Sequence, residues 1–203
     1  MQAYYHSTDA VLEDNCLFDS SNQKNENGKA LERSEMSQSK VDYMAMEYCE
    51  HGDMFDVVKK SGKLSQGLAV HIFKQVLSAI EFLHETVGVA HLDIKLENLL
   101  IDSEFKIKMC DFGFSDPIDR RNYKNKGTDG YKAPEIYNYV QNNGYDGDKA
   151  DYFSLGVLLF TMIFGMPPFK VACKEDPFYR YIARGGNFSR FFFRAHPATK
   201  ELY

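Results

Sequence analysis

The chain has 203 residues, of which 44% are hydrophobic and 14% aromatic, which is enough apolar material to form the core of one large domain. Its 29 acidic residues outnumber its 24 basic residues, and the formal net charge of −5 argues against a nucleic-acid-binding protein. The four cysteines are scattered without paired spacing, which disfavours disulfides and zinc sites and favours an intracellular protein, cytoplasmic or nuclear.

The first 40 residues differ in composition from the rest of the chain. The stretch SSNQKNENGKALERSEMSQSK is rich in Ser, Asn, Gln, Lys and Glu and has almost no apolar residues. Such a composition buries too little surface to offset the entropy of ordering, so we expect residues 1–40 to be polar and disordered. The opening residues have no basic start followed by an apolar run, and therefore predict no signal peptide.

From residue 41 onwards, patterns typical of strands and helices replace the polar composition. Alternating apolar residues over 41–45 predict a strand that runs into an extended link. Residues 54–60 favour a short helix ended by Gly62, and Ser65 suits the cap of a longer helix. Far downstream, LGVLLFTMIFGMPPF at 155–169 is too short to span a bilayer and predicts a buried helix, so we expect no membrane segment.

The most informative stretch is HLDIKLENLLID at 91–102, followed by the triplet DFG at 111–113. It contains Asp93, Lys95 and Asn98 within six residues, and two short predicted strands form a hairpin that brings Asn98 near Asp111. A single Asp or Asn in a loop is more often a turn-former or a cap. In this order, however, the groups suit phosphoryl transfer, with one carboxylate to accept a proton, a cation, and a carboxylate plus an amide for magnesium.

These residues resemble the H-R-D-x-K-x-x-N and D-F-G motifs of eukaryotic protein kinases of the serine/threonine type. The resemblance implies an α+β fold over residues 41–203, with the hinge and a mainly helical large lobe that carries short β-hairpins. It implies that Asp93 is the catalytic base and that Lys95 steadies the transferred phosphoryl group of ATP. Asn98 and Asp111 match the two Mg²⁺ ligands of the family.

The resemblance also implies where ATP binds. Met46 would guard the back of the adenine pocket, the backbone of Glu47 and Cys49 would bond the adenine edge, and Asp53 would meet the ribose. We group Glu97 with these binding residues because its position in the family often meets basic substrate residues. For the stretch that contains Met46, Glu47, Cys49 and Asp53, the alternative interpretation is an edge strand with no ligand.

Residues 111–135 resemble an activation segment that ends in Ala-Pro-Glu. In this segment Thr128 stands where serine/threonine kinases keep a hydroxyl that bridges the base and the lysine, and a plain loop residue is the alternative interpretation. Asp151 resembles the aspartate that anchors the backbone of the catalytic loop. Glu135 would pair with an arginine of a late helix, for which Arg184, Arg190 and Arg194 are candidates.

The chain departs from the family pattern at both ends. Only Gly28 precedes Gly52, so there is no Gly-rich phosphate loop, no lysine lies in an apolar strand, and the small lobe looks largely missing. We also expect the final helices of the family to be missing and the phenylalanines at 191–193 therefore to be exposed. The predicted function is a serine/threonine kinase acting on protein substrates. The alternatives are a weak or inactive kinase-like binding module and a fragment of an incomplete gene model.

Two further features qualify the resemblance. The motifs DFGFS and MEYCEHGDMFD lean towards the calcium/calmodulin-dependent-like group of kinases, and the sequence says nothing about oligomeric state. The basic residues Arg120, Arg121, Lys124 and Lys126 suggest a solvated face of the activation segment or a contact for an acidic partner.

A first prediction concerns regulation. Leu92 occupies the place of the arginine that in the family receives a phosphate on the activation segment, and no Ser or Thr lies between Ser115 and Thr128. We therefore expect phosphatase treatment to leave the phosphotransfer rate unchanged. Mass spectrometry of the active protein provides the check. A phosphorylated residue in this segment whose substitution abolishes activity would contradict the prediction.

Overall fold

The structure, a computed structural model, describes residues 3–11, 40–183 and 191, and it describes side chains for 44–183 and for Phe191. These residues fall into two compact units, one within 1–48 and the other within 49–203. None of the helices in the described part of the chain is long and apolar enough to cross a membrane.

The first unit is a two-stranded antiparallel sheet of β1 (Ala3–Val11) and β2 (Lys40–Met46), paired from Ala3 opposite Met46 to Val11 opposite Lys40. Strand β2 confirms the strand predicted from residue 41. Strand β1 differs from the disorder expected over residues 1–40, because its sequence AYYHSTDAV is rich in Tyr, Thr and Val, which favour strands. The remainder of that polar segment, residues 12–39, lies outside the described residues.

The second unit is mainly helical, as the resemblance implied. Its helices are α1 (Met54–Ser61), α2 (Gln66–Glu81), a π-helix (Phe82–Val87), a 3₁₀ helix (Leu96–Asn98), α3 (Pro134–Tyr137), α4 (Gly147–Phe164) and α5 (Tyr179–Ala183). Its strands are β3 (Val89–Ala90), β4 (Leu99–Ile101), β5 (Ile107–Met109) and β6 (Asp116–Pro117). Strand β3 pairs with β6 and β4 with β5, both antiparallel, and the second pair confirms the predicted hairpin.

Local capping signals determine where α1 and α2 begin. The Asp53 carboxylate accepts a hydrogen bond from the backbone N–H of Asp56 at 2.8 Å, and Gly62 ends α1 as predicted. The hydroxyl of Ser65 accepts from the N–H of Leu68 at 3.4 Å at the start of α2. Beyond residue 81 the chain continues as the π-helix, and His84 in this widened turn is buried.

Helix α4 passes through the main apolar core and starts earlier in the sequence than predicted. Its residues Leu155, Leu158 and Met162 are buried in one cluster with residues of α1, α2 and the loop 94–99. Phe191 is 2% exposed, and its ring centroid lies 5.9 Å from that of Phe160 on α4. The expectation of an exposed Phe191 is therefore wrong, because α4 offers it an apolar surface; residues 192 and 193 lie outside the described part.

Two glycines of α4 and its cap provide a matched stability test. A Cβ on Gly165, which has φ +75°, would lie 1.6 Å from the carbonyl oxygen of Gly62, whereas a Cβ on Gly156 meets nothing within 4 Å. We expect Gly165→Ala to lower the free energy of unfolding by about 3 kcal/mol through overlap and backbone strain. We expect Gly156→Ala to raise it by about 0.5–1 kcal/mol. Urea denaturation of both variants checks the pair, and equal effects would contradict the described packing.

Candidate active site

The loop 91–95 is anchored by Asp151, a carboxylate of α4 with no exposed surface. Its Oδ2 atom accepts hydrogen bonds from the backbone N–H of His91 at 2.7 Å and from His84 Nε2 at 2.8 Å. Its Oδ1 atom accepts from the backbone N–H of Leu92 at 2.8 Å. Because a buried carboxylate must find donors, these contacts fix the backbone at the start of the loop. They confirm the anchoring contact expected of Asp151.

His84 is a contact of this anchor that sequence reasoning missed. No local pattern indicates a partner for it, because Asp151 lies 67 residues further along the chain. The π-helix turns its ring inwards, where the ring of Tyr152 packs edge-on at 5.5 Å between centroids. Its buried Nδ1 atom has no hydrogen-bond partner among the described residues, so Nε2 is the atom that carries the proton donated to Asp151.

His91 connects the loop to the DFG triplet. Its Nδ1 atom accepts from the backbone N–H of Asp93 at 3.2 Å, and its Nε2 atom donates to the carbonyl of Cys110 at 3.1 Å. This pair of bonds requires the neutral ring. Burial lowers the pKa of His91, and the opposing effects of Asp151 and of the Cys110 carbonyl do not cancel it. The ring also packs against that of Phe112, with 5.0 Å between centroids.

Asp93, Lys95 and Thr128 form one hydrogen-bonded triangle. The Thr128 hydroxyl donates to Asp93 Oδ1 at 2.7 Å, and Lys95 Nζ donates to Asp93 Oδ2 at 2.7 Å and to Thr128 Oγ1 at 2.9 Å. The structure thus brings together the three predicted catalytic residues, two of which are separated by 35 positions. The structure contains the predicted bridge of hydrogen bonds through Thr128. The catalytic roles of the three residues remain predictions.

The electrostatics of Asp93 follow from these contacts. The residue is 3% exposed, and burial by itself raises the pKa of its carboxyl. The hydrogen bonds from Lys95 and Thr128, together with the charge of Lys95, more than offset burial, and the net effect lowers the pKa below its ordinary value. Asp93 is therefore a carboxylate at neutral pH, able to accept a further hydrogen bond.

The β4–β5 hairpin brings Asn98 close to the residue before Asp111. The backbone N–H of Cys110 donates to the Asn98 carbonyl at 3.0 Å, and Asp111 has φ +61°. Asn98 Nδ2 donates to the Asp93 carbonyl at 2.8 Å and to its Oδ2 atom at 3.2 Å. One Asp111 oxygen accepts from the N–H of Gly113 at 3.2 Å, and a Cβ on Gly113 would lie 3.1 Å from it.

These hydrogen bonds leave one side-chain oxygen of Asn98 and one of Asp111 available as metal ligands. Within residues 44–183, no hydrogen bond uses the side-chain oxygen of Asn98 or the second carboxylate oxygen of Asp111. Amide and carboxylate oxygens are the ligands that Mg²⁺ prefers, with water and phosphate oxygens completing its shell. The donor set of the chain therefore fits the predicted Mg²⁺ ion.

The predicted nucleotide residues occupy varied surroundings. Cys49 is buried, Asp53 caps α1 with one of its oxygens, and Glu97 is exposed on the 3₁₀ helix. Met46 ends β2 and, with Glu47, belongs to the first unit, so their place beside ATP remains a prediction. The arginines that we proposed as partners of Glu135 lie outside the described residues.

Comparison with known proteins provides independent support. A family model described as "Protein kinase domain" matches residues 30–191, beginning upstream of the predicted boundary at residue 41. The chain belongs to the protein kinase family. This kinase-family chain is 38% identical over 157 residues to CBL-interacting protein kinase 11 of Oryza sativa subsp. japonica, a match that covers 73% of the chain and 29% of the relative.

Further relatives agree with this membership. CBL-interacting serine/threonine-protein kinase 16 of Arabidopsis thaliana is 38% identical over 149 residues, or 68% of this chain and 31% of the relative. Serine/threonine protein kinase OSK3 of Oryza sativa subsp. indica is 36% identical over 129 residues, which cover 63% of this chain and 25% of the relative. The kinase-family chain thus spans between a quarter and a third of the length of these relatives.

The lowered pKa of His91 predicts how the stability of this kinase-family chain depends on pH. The unfolded chain binds a proton to this ring more readily than the folded chain. The contribution of the neutral ring to stability is therefore present above the ordinary pKa of 6.5 and is lost as the pH falls below it. At neutral pH we expect His91→Gln to lower the free energy of unfolding by about 1–3 kcal/mol, and to flatten its loss in acid.

Denaturant unfolding across this pH range checks the prediction, with His71→Gln on the exposed face of α2 as the matched control. The control should follow the unmodified protein at every pH. An unchanged pH dependence in His91→Gln would contradict the assignment of a neutral, buried ring.

Proposed function

We propose that this chain acts as a serine/threonine protein kinase, transferring the γ-phosphoryl group of ATP to hydroxyls of protein substrates. The observation that carries the proposal is the triangle of Asp93, Lys95 and Thr128, in which a buried carboxylate and an ammonium group share one hydroxyl. Phosphoryl transfer depends on positioning and on charge stabilisation, and this arrangement supplies both.

The hydrogen bonds of Asp93 favour one of its oxygens for the substrate. Oδ2 already accepts from Lys95 and from Asn98, whereas Oδ1 accepts only from Thr128 among the described residues. A carboxylate oxygen has two acceptor sites, so Oδ1 has one left for a substrate hydroxyl. In the reaction the hydroxyl oxygen bonds to the γ-phosphorus and the bond from that phosphorus to the oxygen of the leaving ADP breaks. The hydroxyl proton passes to Asp93.

Lys95 suits the stabilisation of the moving phosphoryl group. An ammonium group has three donors, and the bonds to Asp93 and Thr128 use two of them. The third can donate to a phosphoryl oxygen, because the Lys95 side chain is only partly buried. A charged donor that is already in place needs no reorganisation during the reaction, which is where such groups gain their effect on rate.

Asn98 and Asp111 would hold Mg²⁺, which neutralises charge on the phosphates of ATP when it is bound. On the resemblance, we assign the adenine and ribose contacts to Met46, Glu47, Cys49 and Asp53. We assign Glu97, which is exposed, a contact with a basic residue of the substrate protein.

Two finer points of the proposal are the group of kinases and the cellular setting. The first rests on sequence motifs and the second on reduced cysteines. A calcium/calmodulin-dependent-like affiliation is supported by the motifs DFGFS and MEYCEHGDMFD. An intracellular setting is supported by the free thiols of Cys110 and Cys173.

Magnesium-dependent transfer of phosphate from ATP to a Ser/Thr substrate protein tests the proposal. We expect Asp93→Asn and Asp111→Ala to lower kcat by about 100-fold or more, because each removes a preorganised charged group. We expect Thr128→Val to lower it by about 10-fold and Thr128→Ser to retain most of it, since serine preserves the hydroxyl that bonds Asp93.

Asp119→Asn is the matched control, because Asp119 is an exposed carboxylate of the same segment. It should leave the rate unchanged. Binding of Mg²⁺-ATP with no turnover in the unmodified protein would contradict the proposal and favour the kinase-like binding module.

A further inference from the structure

Arg121, in the segment 111–135, donates hydrogen bonds from all three guanidinium nitrogens to one loop. Its Nε donates to the carbonyl of Asn143 at 2.7 Å, and Nη1 donates to Asp146 Oδ1 at 3.0 Å. Its Nη2 donates to the carbonyls of Gly144 at 2.5 Å and Asn142 at 3.3 Å. Hydrogen bonds from a charged donor are among the stronger ones, and the planar fork of arginine allows several at once.

The backbone beside Arg121 is paired with the same loop. The N–H of Asn122 donates to the carbonyl of Tyr145 at 2.8 Å, and the N–H of Tyr145 donates back to Asn122 at 3.0 Å. The Tyr145 hydroxyl donates to the carbonyl of Lys124 at 2.9 Å. We call the paired residues 121–124 and 142–146 the segment–loop junction.

Gly144 shows how closely the two sides of this junction approach. It has φ +81°, and a Cβ at this position would lie 2.8 Å from the carbonyl oxygen of Asn122 and 3.1 Å from the Tyr123 ring. Both the backbone conformation and the space require glycine. Any larger residue would push the loop away from the segment, which makes the junction sensitive to a single added carbon.

The junction leads directly to the reactive triangle. Tyr145 is buried in an apolar cluster that also contains Leu92, the residue before Asp93. A Cβ on Gly127 would lie 2.7 Å from the carbonyl oxygen of Leu92, so the residue before Thr128 lies against the residue before Asp93. A shift of the segment at 121–127 therefore moves Thr128 relative to Asp93.

These contacts correct the interpretation of the basic residues as a solvated face. Lys126 Nζ donates to Asp116 Oδ2 at 2.5 Å and to the carbonyl of Phe114 at 3.0 Å, and its side chain is mostly buried. Arg121 likewise has the four acceptors described above. The solvated interpretation is therefore wrong for Lys126, whereas Arg121 keeps 43% and Arg120 67% of the side chain exposed.

We propose that Arg121 is a positioning residue that, without any phosphate, ties the segment 111–135 to the loop 142–146 and so keeps Thr128 against Asp93. The part of this inference that concerns rate rests on the proposed kinase function. The part that concerns position stands on the junction alone.

The test compares Arg121→Gln with Arg120→Gln in phosphatase-treated protein, because among the described residues Arg120 bonds Asp116 and has no hydrogen bond to the loop 142–146. Amide hydrogen exchange over 122–128 and 142–146 reports on position, and steady-state kinetics reports on rate. We expect Arg121→Gln to exchange about 10-fold faster in both stretches and to lower kcat by about 10-fold, with an unchanged KM for ATP. Arg120→Gln should match the unmodified protein in both measurements. Arg121→Lys should give values between those of the unmodified protein and Arg121→Gln, because lysine keeps the charge but loses the planar set of guanidinium donors.

Gly144→Ala provides a second variant that leaves all charges in place, and it should reproduce both effects of Arg121→Gln. Unchanged exchange at 122–128 in Arg121→Gln would overturn the proposal, as would faster exchange with an unaltered kcat. If the unmodified protein has no turnover, the kinase proposal fails separately. The exchange measurement then decides alone, with faster exchange supporting the anchoring role of Arg121 and unchanged exchange overturning it.

Discussion

A carboxylate without any contact with water determines where the loop 91–95 lies. Asp151 sits inside the second unit on α4, and burying such a charge costs several kcal/mol unless donors surround it. Two of its donors are backbone N–H groups of His91 and Leu92, so the chain must approach α4 at this point. Leu92 adopts φ +65° there, and the next residue is Asp93. The position of the Asp93 carboxylate thus follows from the requirement to supply hydrogen-bond donors to the Asp151 carboxylate.

Further contacts around this anchor restrict the positions of the candidate site residues. Asn98 bonds both the backbone and the side chain of Asp93, and the hairpin that follows it leads back to Asp111. Thr128 and Lys95 then hold the Asp93 carboxylate in its charged form. Because these charges are arranged before any substrate arrives, the site matches a reaction whose catalysis is mostly positioning and electrostatics. Membership in the protein kinase family agrees with this chemistry.

Features encoded by neighbouring residues were predictable from the sequence, and those that depend on distant residues were not. The cap of α2 at Ser65 and the β4–β5 hairpin follow from local patterns, and the resemblance to kinase motifs implied the residues of the triangle. The contact of His84 with Asp151 and the junction at Arg121 join residues that are 67 and more than 20 positions apart. No local periodicity encodes such pairs, and charge alone does not reveal whether an arginine bonds a row of carbonyls. Burial of Phe191 likewise depends on an apolar surface of α4 that only the fold creates.

Hydrogen exchange at two amides tests the central claim about Asp151 most directly. In Asp151→Asn the shape of the side chain is kept, but the charge and one of the two acceptor oxygens are lost. We predict that the amides of His91 and Leu92 then exchange about 100-fold faster, while the amides of α2 keep their protection. Exchange of both loop amides at the rate of the unmodified protein would contradict the account, because the loop would then be held in place by something other than the buried carboxylate.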